Sequence, residues 1–91
     1  MSYQALNELQ FDIIDCLYFV ESYENILEDV GKPEPFVRDE LRTLIDRGYV
    51  NVLIFDEEGG DYHKTAIFDS DNMQDYHYLA TKDGLLKHNG F

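Results

Sequence analysis

Apolar residues recur at helical spacing through the first half of the chain and crowd into short β-rich runs in the second. Leu6, Leu9, Ile13, Cys16, Leu17 and Val20 mark one face of a helix predicted over residues 4–21. Phe11, Ile14 and Tyr18 form a second stripe on it. At ~100° per residue the two stripes lie on nearly opposite sides, with Glu8, Asp12 and Asp15 filling one gap between them. Such a helix needs two packing partners. Either both sides meet the chain's own core, or the Phe11–Ile14–Tyr18 side meets a second copy in a homodimer.

Ser22 is placed to cap a second helix over residues 23–30, with Tyr23, Ile26, Leu27 and Val30 inward and Gly31 ending it. In "GKPEP" each proline pushes its predecessor out of helical geometry. Pro35 suits the first turn of a third helix over residues 35–47. Its buried stripe is Val37, Leu41, Leu44 and Ile45, and Gly48 stops it. "YVNVLIF" then reads as a strand. "DEEGGD" reads as a turn in which Gly59 and Gly60 allow positive φ. "YHKTAIFD" and "YHYLA" are further strand candidates within residues 49–80, separated by the loop "SDNMQD". Thr81 caps a short last helix over residues 82–88. The expected class is α+β: a three-helix core, an antiparallel wing and a C-terminal helix, in one domain spanning residues 1–91.

The order and two motifs resemble the winged-helix family. "LRTLIDRGYV" is similar to the end of that family's recognition helix: Leu41, Leu44 and Ile45 face the core, Gly48 ends the helix, and Tyr49 and Val50 start the wing. "YLATKDG" is similar to its wing strand running into a Thr-capped helix. The match covers most of the chain but not residues 57–75, where the wing is longer than usual. The resemblance implies a regulator. The family is mostly DNA-binding and also contains protein-binding members, so fold does not fix function.

Charge separates those two uses. The chain has 91 residues, 19 acids against seven Lys plus Arg, and a formal charge of -12. That balance repels phosphates and anionic membranes and attracts basic partners. A halophilic origin would also produce many acids, but three alanines among abundant Ile, Phe and Tyr fit it less well. All three arginines lie between Pro33 and Val50. Outside the third helix's buried stripe stand Arg38, Asp39, Arg42, Thr43 and Asp46. In a DNA reader they would meet bases and phosphates, arginine being suited to guanine edges. However, Glu34–Arg38 and Arg42–Asp46 have the i, i+4 spacing of helical ion pairs. Over residues 56–75 the wing offers Lys64 alone against seven acids. The first expectation is therefore a protein-interaction or regulatory module with an acidic surface. The alternative is a transcriptional regulator reading duplex DNA through Arg38, Arg42 and Lys64.

Other chemistry has little to stand on. No GxSxG, phosphate loop or cysteine with a base is present, so no enzyme is expected. "DYH" occurs twice, and paired strands would bring His63 and His77 together as metal ligands. With no close ligand spacing, surface histidines are the simpler reading, and no metal or cofactor is expected. "DSDN" lacks the sixth-position glycine and twelfth-position glutamate of a calcium loop. Tyr62, Tyr76 and Tyr78 could stack on bases, but strands use tyrosine mostly for packing. Cys16, the single cysteine, reads as inert core. It forms no internal disulfide, which favours a reducing, cytoplasmic setting. The start lacks a signal-peptide pattern, and "CLYFV" and "VLIF" are too short to span a bilayer.

Overall fold

A computed structural model describes residues 5–90. The predicted start of the first helix, at position 4, falls outside them. Helix α1 runs Glu8–Cys16, shorter than the 4–21 expected. Its start is set by a capping box: the Asn7 side chain accepts from the Gln10 N–H at 2.8 Å, and the Gln10 side chain accepts from the Asn7 N–H at 3.0 Å. At its other end the Leu17 N–H reaches back to the Ile14 carbonyl at 2.9 Å. The Leu17 carbonyl then accepts from the Ala80 N–H at 2.9 Å, so the backbone leaves the helix to join the sheet.

Glu21–Ser22 form a two-residue strand, β1. Helix α2, Tyr23–Val30, starts where the Ser22 hydroxyl accepts from the Asn25 N–H and ends at Gly31 with φ 68°. Helix α3, Glu34–Asp46, follows with Pro35 in its first turn. Strand β2 is Val50–Asp56, β3 is Asp61–Thr65 and β4 is His77–Ala80. A single 3-10 turn, Met73–Asp75, precedes β4. Helix α4, Lys82–His88, is capped by Thr81, whose hydroxyl accepts from the Gly84 N–H at 3.0 Å.

The chain is thus α+β, with an antiparallel sheet of order β1-β4-β2-β3. Because β3 and β4 flank β2 on opposite sides, the two "DYH" segments do not pair. His63 lies opposite Ile54 and His77 opposite Leu53, on opposite faces of the sheet. The core joins Ile13, Ile14 and Leu17 of the first segment to Tyr23, Ile26, Val37, Leu41 and Leu44, with Val50, Val52, Tyr78 and Ala80 of the sheet. Met73, expected in a loop, is buried with them. Its carbonyl accepts from the Tyr78 hydroxyl at 2.8 Å.

Ile14 corrects the two-stripe expectation. It is fully buried in the chain's own core, so it cannot face a second copy. Phe11 and Tyr18 remain 44% and 43% exposed, and both pack against α4. The Phe11 ring stacks on His88 at 4.1 Å, and the Tyr18 hydroxyl lies 2.9 Å from His88 Nδ1. Asp15 Oδ1 sits 3.2 Å from His88 Nε2 but outside hydrogen-bonding geometry. Of the second stripe, the chain's own core takes up Ile14, while Phe11 and Tyr18 stay exposed beside His88.

Candidate functional site

Val37, Leu41 and Leu44 turn one side of α3 to the core, which leaves Arg38, Asp39, Arg42 and Thr43 on its outer side. Arg42 and Asp39 are exposed, while Arg38 and Thr43 are half-buried. The Thr43 hydroxyl donates to the Asp39 carbonyl at 3.1 Å and is thereby turned back onto its own helix. The ion pair formed here is Arg38 Nε to Asp39 Oδ1 at 3.8 Å. Among the described residues neither expected pair, Glu34–Arg38 or Arg42–Asp46, is present as an ion pair. An exposed contact this long contributes little.

The Glu34 carboxylate instead lies near the Tyr23 phenol. Burial first, and that carboxylate second, push Tyr23 up to about 12. Its hydroxyl is buried and has no hydrogen-bond partner among the described residues.

Lys64 sits in β3 opposite Leu53. Val50 and Val52 face the helices, so by strand alternation Leu53 and Lys64 lie on the other face of the sheet. The structure therefore brings Arg38, Asp39, Arg42 and Thr43 together but leaves Lys64 on the sheet face turned away from α3. That face also carries a ladder of rings missed in the sequence: Phe55 to Tyr62 at 5.0 Å and Tyr62 to His77 at 5.0 Å, both edge-on. The odd register of "VNVLIF", with Leu53 and Phe55 as apolar as Val50 and Val52, was the available signal.

Acids dominate both surfaces. Residues 34–46 carry four acids and two arginines, and residues 56–75 carry seven acids and one lysine. At the β2–β3 turn the backbone N–H groups of Gly59 and Glu58, with His63 nearby, hold Asp56 below the usual carboxylate range. The Asp71 N–H and the Asn72 amide do the same for Asp69. Both groups thus stay ionised at neutral pH and add to the negative field. Among the described residues no group of three or more His, Cys, Asp or Glu is placed to hold a metal ion. The Cys16 thiol donates to the Asp12 carbonyl at 3.3 Å. Burial, then the Asp29 and Asp15 carboxylates, push it up to about 11. Among the described residues no helix is long and apolar enough to cross a membrane.

No protein-family model, curated protein or solved structure matches the chain.

Proposed function

We propose that this chain is a non-enzymatic winged-helix module that binds a basic protein partner through its acidic surface. The observation carrying this is the distribution of charge over the third helix and the wing. Over residues 34–46 and 56–75, eleven acids face three cations. Non-specific DNA affinity comes mainly from phosphate neutralisation, and that surface lacks the cations for it. The position of Lys64, on the sheet face away from α3, weakens a joint grip on DNA further. The winged-helix assignment is supported by three helices followed by antiparallel strands, and by Thr81 and Gly84 seating α4 as the "YLATKDG" motif implies.

Reading duplex DNA through Arg38 and Arg42 is the second possibility. It is favoured by one observation: Arg42 is exposed, with no ion pair among the described residues.

Capture on the immobilised chain from a lysate of its source, with and without nuclease, distinguishes the two. A basic protein retained equally in both arms and eluted by salt supports the module. Retention abolished by nuclease overturns it in favour of nucleic acid.

A further inference from the structure

We infer that the cleft between the start of α1 and the α2–α3 turn is a docking site for one arginine side chain of a basic protein partner. This rests on the protein-interaction reading and names the surface and the residue type it would take.

The cleft follows from how two helices begin. The Asn7–Gln10 capping box starts α1, and Gln10, Ile13 and Ile14 turn inward. Glu8, Leu9 and Asp12 are left on the side that faces the turn between α2 and α3. Gly31 ends α2 with φ 68°, and Pro33 caps the start of α3. Val37 enters the core, while Phe36, one residue earlier, keeps 61% of its surface exposed. The result is an open cleft of about 190 Å³ lined by Glu8, Leu9, Asp12, Lys32, Pro33 and Phe36.

Its two kinds of wall fit one side chain. Leu9, Pro33 and Phe36 offer apolar surface to an aliphatic stem. Glu8 and Asp12 stand one helical turn apart, ~5–6 Å between Cβ atoms, and both line the cleft. Among the described residues neither carboxylate makes a hydrogen bond or an ion pair. Other acids are turned onto the chain itself: Glu21 accepts from the Asn25 amide, Asp56 from the Glu58 N–H and Asp69 from the Asp71 N–H. A planar guanidinium forks between two acceptors and stacks on an aromatic face, whereas an ammonium is a point charge. Arginine therefore uses the carboxylates, the Phe36 ring and the apolar wall together. Lys32 stands on the turn side of the same cleft. It repels a second cation, so the cleft selects one arginine and not a basic run. The net charge of -12 draws a basic partner in from a distance, and the cleft gives it a fixed place to anchor.

The test uses the full chain, amide-resolved NMR and three probes: the capped peptide Gly-Ser-Arg-Ser-Gly and its lysine and citrulline analogues. The arginine peptide is expected to shift the amides of Glu8, Leu9, Asp12, Lys32 and Phe36. The lysine peptide is expected to bind more weakly. Citrulline keeps the shape and loses the charge, and is expected to bind at least about tenfold more weakly, the scale of one charge-assisted hydrogen bond. The Glu8→Gln, Asp12→Asn variant is expected to lose the shifts, and Phe36→Ala to weaken binding about two- to fivefold. Glu57→Gln with Glu58→Gln removes the same charge from the β2–β3 turn and is expected to leave binding unchanged. Shifts spread over the acidic surface, with both double variants weakening binding alike, would overturn the cleft in favour of the general field. Equal binding of the arginine peptide and either analogue, or no shift at these amides up to millimolar peptide, would also overturn it and leave the module reading to partner capture. An arginine peptide that titrates here while nuclease abolishes capture would support the cleft and overturn the module reading.

Discussion

Replacing Gly84 by alanine tests how α4 is seated. In isolation the change should help, since glycine inside a helix costs roughly 0.5–1 kcal/mol relative to alanine. The structure predicts the opposite sign. A Cβ at position 84 would stand 2.2 Å from the Tyr49 carbonyl oxygen and 3.0 Å from its carbon, both backbone atoms. Neither can rotate away. That carbonyl accepts from the Thr81 N–H at 3.0 Å, and the Thr81 hydroxyl donates to the Gly48 carbonyl at 2.7 Å. Retreat of α4 would strain both bonds, each contributing about 0.5–1.5 kcal/mol. Overpacking adds a further ~1–3 kcal/mol. Subtracting the gain in helix propensity leaves a net loss of about 1–5 kcal/mol. For a domain of this size that corresponds to a Tm lower by roughly 4–40 °C, at about 4–8 °C per kcal/mol. Thermal and urea melts followed by circular dichroism measure it. Lys82→Ala, exposed on the same helix, serves as the control and should stay within ~0.5 kcal/mol of the parent. A Gly84→Ala protein as stable as the parent, or more so, would refute the close approach of α4 to Tyr49.

His88→Ala removes the Phe11 stack and the Tyr18 contact together. It should cost about 1–3 kcal/mol in a urea melt and speed amide exchange in α4, and an unchanged midpoint would contradict the packing of Phe11 and Tyr18 on His88. Cys16, with its thiol held near 11, should alkylate far more slowly than a free thiol at pH 8, and alkylation at the rate of a small thiol would contradict its burial. Stability should fall as pH rises above about 9. The unfolded thiol and phenols release protons around their ordinary values of 9.0 and 10.0, whereas Cys16 and Tyr23 hold theirs to about 11 and 12. A urea midpoint unchanged between pH 8 and pH 10.5 would contradict this.

Helical segments with one clear stripe were legible in the sequence. Ser22 and Gly31 bracketed α2, Pro35 and Gly48 bracketed α3, and Thr81 announced α4. The first helix was overextended because apolar spacing continues through Leu17 and Val20, past the last helical residue at Cys16. The capping box of Asn7 and Gln10 marked the true start, and nothing local marks the strand at Glu21–Ser22. Sheet order was beyond the sequence, since pairing partners are set by the whole fold. For the ring ladder Phe55–Tyr62–His77, the apolar Leu53 and Phe55 hinted at a second covered face but not at which strands would bring Tyr62 and His77 to it. Of the candidate site, Arg38, Asp39, Arg42 and Thr43 shared the predicted helix face. Their i, i+4 ion pairs did not form, because exposed side chains have little energy holding them to one geometry.

The central claim is that this surface is built for a basic protein and not for DNA. Anisotropy titration of labelled random duplex, from low to physiological salt, tests it most directly. The account predicts no measurable binding at physiological salt, where non-specific affinity depends on phosphate contacts that three cations among eleven acids cannot supply. Micromolar binding at that salt, lost in the Arg38→Ala, Arg42→Ala double variant, would contradict it and make α3 a DNA-reading helix.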